Sequence, residues 1–188
     1  MRPELENLPQ PNWFWHGEAI LNLLDVHRPM ACVELGTNRG CSAIATARVL
    51  QKWGGHLTCI DTWETEQHGA SVPMADCQRN IDAAGVTSSV TLWQMRIDAA
   101  ARGWHRPIDY LYIDADHTFD TVTSDLESWW PHLKVGGLIA GDDYDDPADP
   151  RTPPDVTRAW DTFEAKHGQA FERMVTGVQG RLIYGVKR

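Results

Sequence analysis

The apolar positions of this chain alternate between short unbroken runs and longer stretches with helical spacing. Residues 30–35 form a compact apolar run that ends at Gly36, which predicts a strand entering a turn. An Ala-rich stretch over 42–53, closed by Gly54 and Gly55, predicts a helix. Residues 56–60 predict a second strand ending at Asp61, and the polar segment 62–72 a loop. A helix over 74–84 stops at Gly85, and a third strand follows at 90–93. The fourth strand is predicted at 109–113, then a helix over 118–133 that carries Trp129 and Trp130 near its end. Residues 134–137 read as a turn into a fifth strand, and 155–167 as a further helix. Two closing strands, 171–175 and 181–186, are predicted to form a hairpin across 177–180. Strands alternating with helices predict a three-layer α/β domain with helices on both faces of the sheet.

Two of the strands end in acid. Ile113 leads into Asp114-Ala115-Asp116-His117, and Ala140-Gly141 leads into Asp142-Asp143-Tyr144. A helix joins the two strands, so they should be parallel neighbours with both acidic ends at the same sheet edge. Ligands bind at that edge in open parallel sheets. Like charges held close repel unless a cation, a proton or a donor intervenes, and a hard divalent ion is the simplest way to satisfy them. The proline-rich segment 145–155 follows directly and cannot be a helix. It reads as a flap over the acidic cluster or as a plain connection.

The first strand ends in Glu34-Leu35-Gly36-Thr37-Asn38-Arg39-Gly40. Gly36 permits a tight turn and close approach of a ligand to the backbone. The spacing is G-x-x-x-G, with Asn38 where a dinucleotide fingerprint has glycine, and Glu34 beside it disfavours a phosphate. Asp61, at the end of the second strand, suits a ribose diol. The combined reading is a pocket for an adenosine group with no bridging phosphate.

Charge narrows the partners. Lys and Arg total 17 against 26 Asp and Glu, a formal charge of −9, so no basic stripe is available for a nucleic-acid backbone. No apolar run is long enough to span a membrane, and the first residues lack a signal-peptide core, which predicts a cytoplasmic protein. The four cysteines show no metal-binding or redox spacing, and Cys32 and Cys59 fall in predicted strands, so buried thiols are expected. Residues 1–29 read as an N-terminal segment and 30–188 as the domain. The cluster Trp13-Phe14-Trp15-His16 is expected to pack on that domain or on a second subunit of a homo-oligomer.

The glycine loop resembles the E-x-G-x-x-x-G loop of class I S-adenosylmethionine-dependent methyltransferases. Cys59-Ile60-Asp61-Thr62-Trp63, Ile113-Asp114-Ala115-Asp116-His117 and the stretch 133–144 are similar to one metal-dependent branch. That branch includes macrocin O-methyltransferase-like enzymes and is related to catechol and caffeoyl-CoA O-methyltransferases. The resemblance covers about residues 30–186. It implies a Rossmann-like three-layer sandwich with a seven-stranded, mostly parallel sheet of order 3-2-1-4-5-7-6, the last strand antiparallel. It implies methyl transfer from S-adenosylmethionine to a hydroxyl of a small acceptor. Glu34, Gly36 and Thr37 would border the methionine moiety and Asp61 the ribose, with Gly40 in the same cofactor-binding loop; Trp63, which follows Asp61 at the strand edge, is a candidate wall of the pocket. Asp114, Asp142 and Asp143 would hold Mg²⁺, and His117 would be the base beside the catalytic Asp114. Asp143 stands where catechol-type relatives carry Asn, and Gln94 to Asp98 replace their small-residue turn after the third strand. Two rival readings stand beside it. Asp114-Ala115-Asp116 is a D-x-D that could bind a metal–nucleotide-sugar complex in a glycosyltransferase, and the fold could serve a non-catalytic binding protein.

Overall fold

The computed structural model describes residues 2–10, 14–64, 66–67, 70–144, 154–176 and 182–188. Residues 145–153 of the expected 145–155 flap, the expected hairpin connection 177–180 and Trp13 lie outside the described residues. Pro154 and Asp155, read as part of that non-helical segment, open a helix, whose first turn tolerates proline. The sheet strands are β1 (Ala31–Leu35), β2 (His56–Asp61), β3 (Val90–Gln94), β4 (Ile108–Ile113), β5 (Leu133–Gly141), β6 (Phe171–Thr176) and β7 (Leu182–Lys187). The helices are α1 (Gly17–His27), α2 (Cys41–Leu50), α3 (Met74–Ala83), α4 (Ile97–Gly103), α5 (Phe119–Trp129) and α6 (Pro154–His167). A short ribbon, Glu66–Gln67 with Ala70–Ser71, stands apart in the segment read as loop.

The spatial order is β3-β2-β1-β4-β5-β7-β6, which is the expected 3-2-1-4-5-7-6. β1 pairs in parallel with β2 and β4, β2 with β3, and β4 with β5. β7 runs antiparallel to both β5 and β6. The order reverses between β1 and β4, which opens a crevice at their C-terminal ends. The lower ends are tied by Asp109, whose Oδ2 accepts the Met30 and Ala31 N–H groups while Lys134 Nζ sits 2.6 Å from Oδ1.

Strand alternation sorts the core into two layers. Cys32, Leu57, Cys59, Tyr110, Tyr112, Leu138 and Ala140 face α1, α2 and α3 in one cluster. Val33, Leu35, Ile60, Leu111, Ile113 and Ile139 face α4, α5 and α6 in the other. Each residue points opposite to its chain neighbour because side chains alternate across a strand. All four cysteines are buried free thiols. Among the described residues no helix is long and apolar enough to cross a membrane.

Several further elements differ from the sequence expectation. α1 was not expected, although Ile20, Leu21 and Leu24 lie at helical spacing and are fully buried. The seven-residue α4 is too short to show a period of its own. The expected helix over 118–133 ends at Trp129, where Pro131 forces a single 3₁₀ turn, and β5 already begins at Leu133. The 134–137 stretch is therefore strand with a register irregularity rather than a turn.

Candidate active site

The crevice between β1 and β4 is built by backbone contact. Gly36 has φ +82, and a Cβ placed there would lie 2.0 Å from the Asp114 carbonyl oxygen and 2.5 Å from Ala115 Cα. The two loops that leave the switch point thus touch through the space of a missing side chain. Hydrogen bonds fix the contact: the Asp114 N–H donates to Leu35 O at 2.9 Å, and the Gly36 N–H to Ile60 O at 2.9 Å. Gly40, with φ +84, caps α2 in the left-handed conformation.

Asp61 organises the glycine loop. Its Oδ2 accepts the Thr37 and Asn38 N–H groups, each at 2.9 Å, and its Oδ1 accepts the Trp63 N–H at 2.8 Å. A carboxylate has about four lone-pair sites, so roughly one remains for a ligand hydroxyl. Trp63 closes the same knot: its Nε1 donates to the Asn38 carbonyl at 2.7 Å, and the ring is buried. The structure does not bring Trp63 to the cleft; the ring pins the loop from behind.

A cleft of about 660 Å³ opens in front of this loop. Gly36, Thr37, Asn38, Asp61 and Thr62 line one end, and Asp114, Ala115, Asp116 and His117 line the second wall. Arg96, Ile97 and Asp98, together with Asp120, Thr121, Ser124 and Asp125 of α5, complete it. Glu34 lies behind the loop, 1% exposed, where its Oε1 accepts the Ser42 hydroxyl at 2.9 Å. Burial pushes its carboxyl up to about 8. The unfolded group ionises near 4.5, so folding loses stability as pH rises from there towards 8. Glu34→Gln is expected to match the wild type below pH 4.5 and to exceed it increasingly up to pH 8, read as urea midpoints at several pH values.

The acidic strand ends meet beside the cleft. Burial raises the Asp114 carboxyl well above the ordinary aspartate range, and the charges of Asp142, Asp143, Glu34 and Asp61 push the same way. His117 Nε2 lies 3.2 Å from Asp143 Oδ2, and half of its side chain faces solvent. The Asp142 N–H donates to Ile113 O at 3.2 Å, which aligns the ends of β4 and β5. A residue absent from the sequence reading joins them. His16, at the start of α1, is 2% exposed, and its Nε2 lies 3.2 Å from Asp142 Oδ1. Among the described residues no three His, Cys, Asp or Glu side chains converge closely enough to hold an ion in this conformation.

Arg96, Ile97 and Asp98, from the stretch that replaces the family's small-residue turn, also line the cleft. Their place after β3, at the same sheet edge as the other strand ends, was the available signal. Nothing near His16 in sequence announces its contact, which spans the chain from α1 to β5.

Residues 33–144 match the profile of a family described as "Methyltransferase domain". The chain belongs to that methyltransferase family. Its fold is shared with solved methyltransferases of low sequence identity. An O-methyltransferase from Bacillus cereus, solved with S-adenosylhomocysteine, superposes with TM-score 0.72 at 19% identity, over 100% of this chain and 92% of that one. The O-methyltransferase TomG of Streptomyces achromogenes, solved with S-adenosylmethionine, gives 0.69 at 16% identity, over 100% and 91%. The S-adenosylhomocysteine-bound methyltransferase PaMTH1 of Podospora anserina gives 0.74 at 13%, over 100% and 89%.

Proposed function

We propose that this methyltransferase moves a methyl group from S-adenosylmethionine to a hydroxyl of a small acceptor, assisted by a divalent metal at Asp114, Asp142 and Asp143. The observation that carries the reading is the switch-point contact of Gly36 with Asp114, which sets the glycine-loop cleft directly against the acidic strand ends. The similar folds solved with S-adenosylmethionine or its product support the choice of donor.

The donor supplies an electrophilic methyl group, so the protein's work is positioning. Thr37 and Asn38 present the loop that Asp61 holds, and the remaining lone pair of Asp61 suits a ribose hydroxyl. The charge pattern fits a cation. Asp142 and Asp143, on the neighbouring strand end, add to the cost of ionising the buried Asp114, and carboxylate oxygens are hard ligands. Asp142 Oδ1 and Asp143 Oδ2 each lie 3.2 Å from a histidine Nε2, of His16 and of His117, so the two carboxylates sit at the strand ends beside imidazoles. A bound metal would lower the pKa of an acceptor hydroxyl. His117 takes the proton, and Asp143 stabilises the imidazolium that results.

The nucleotide-sugar reading loses its support to the family match. Asp116 Oδ1 instead accepts the Thr118 N–H at 2.7 Å where α5 begins. The test of function is transfer of labelled methyl from S-adenosylmethionine to a panel of catechols and sugars, with and without chelator. Transfer that chelator suppresses and Mg²⁺ or Mn²⁺ restores supports the reading. Transfer untouched by excess chelator removes the metal from it, and donor binding without turnover on any hydroxylated acceptor supports a non-catalytic role.

A further inference from the structure

We propose that Asp125 reads the base of the methyl donor, its Oδ2 accepting the 6-amino N–H of adenine. The assignment rests on the cleft being the S-adenosylmethionine site. Asp125 projects from the middle of α5, is 3% exposed, and lines the cleft. Its Oδ2 is buried and has no hydrogen-bond partner. Leaving such an oxygen unsatisfied costs about 1–3 kcal/mol, so a group that faces a cavity in this state calls for a donor from whatever fills the cavity.

Of the other cleft carboxylates, Asp120 is exposed to solvent, and Asp98, Asp116 and Asp61 are engaged within the protein. Asp98 accepts Arg96 Nε and Arg102 Nη1, each at 3.0 Å. Asp116 accepts the Thr118 N–H, and Asp61 accepts three loop N–H groups. With the ribose at Asp61, the base continues into the part of the cleft bounded by Ile97 and Asp98 on one side and Ala115 and Asp116 on the other. Asp125 lines this same part, and adenine is the portion of the donor that carries an exocyclic N–H₂ there.

Protonation does not remove the acceptor. Burial, with smaller contributions from Asp116 and Asp98, pushes the Asp125 carboxyl up to about 7. The neutral and ionised forms each keep an accepting oxygen. The neutral form could also donate its O–H to a 6-oxo purine, whereas the ionised carboxylate would meet that group oxygen against oxygen, so the discrimination belongs to the ionised form. Sites built around a buried hydrogen bond discriminate strongly against analogues that cannot make it.

The experiment measures calorimetric affinities for S-adenosylhomocysteine and its deaminated 6-oxo analogue, S-inosylhomocysteine. It uses the wild-type protein, Asp125→Asn and Asp125→Ala at about pH 9, where the Asp125 carboxyl is ionised and can only accept. The wild type should prefer the 6-amino ligand by roughly a hundredfold or more. Asp125→Asn can turn its NH₂ toward a 6-oxo group, so the preference should fall at least tenfold, and Asp125→Ala should lose it as well. The ratio of the two affinities is a readout that a purely structural role would not move. Asp125→Asn keeps the side-chain shape and removes a buried unpaired carboxylate, so its melting midpoint should equal or exceed the wild type's. Variants that retain the wild-type ratio overturn the assignment alone. A wild type that binds no S-adenosylhomocysteine overturns the donor reading and this assignment with it.

Discussion

Gly36→Ala should abolish donor binding and destabilise the fold by roughly 2–5 kcal/mol, the sum of a left-handed backbone cost and an overpacking cost. The atoms in the way are the Asp114 carbonyl oxygen at 2.0 Å and Ala115 Cα at 2.5 Å. Both are backbone atoms, so no rotamer change relieves the contact. Relief requires the β1 and β4 loops to part, which breaks the Asp114 N–H to Leu35 O bond and widens the crevice. Gly54→Ala is the matched control. Gly54 has φ +79 but nothing within 4 Å of its added Cβ, so only the backbone cost of about 1–2 kcal/mol applies. Denaturant midpoints of the two variants separate the effects. Equal losses would mean that the loop contact contributes nothing.

Asp114→Asn should reduce methyl transfer by roughly a thousandfold and at the same time raise the melting midpoint. Asp114 is penalised for ionising in the folded protein, first by burial and then by Asp142 and Asp143. Its unfolded counterpart ionises near 3.8, so the wild type gives up stability as pH rises above that value. Asparagine carries no such penalty, and its advantage should grow with pH in buffer free of divalent cations. Added Mg²⁺ should reverse the ranking by stabilising the wild type alone. Thermal unfolding at pH 5 and pH 8, with and without Mg²⁺, checks each part. A variant no more stable than wild type at pH 8 without cations would show that the carboxylates do not strain one another. Stability held in reserve against function is the expected signature of a charged site.

The strand ends were the most legible part of this chain. Apolar runs that stop at Gly36, Asp61, Asp114 and Asp142 gave both the sheet and the edge that carries the site, because a buried parallel strand is one continuous apolar stretch. The seven-strand order came from the family resemblance rather than from periodicity. The contacts that decide side-chain roles were not legible. Trp63 read as a pocket wall because it follows Asp61, yet its positive φ of 51° turns the indole back onto Asn38. Asp125 read as a helix residue with no feature of its own, since α5 shows its apolar stripe through Val122, Leu126 and Trp129. His16 reaches Asp142 only because α1 packs on the first core layer and delivers the imidazole across the sheet edge. Long-range placement of a polar side chain leaves no periodic trace in the sequence.

Calorimetric titration of the protein with S-adenosylhomocysteine tests the central claim most directly. Micromolar binding that Gly36→Ala removes and Gly54→Ala preserves is the predicted result. Absence of binding by the wild type, with and without Mg²⁺, would contradict the account and leave the Glu34–Gly40 loop a structural turn.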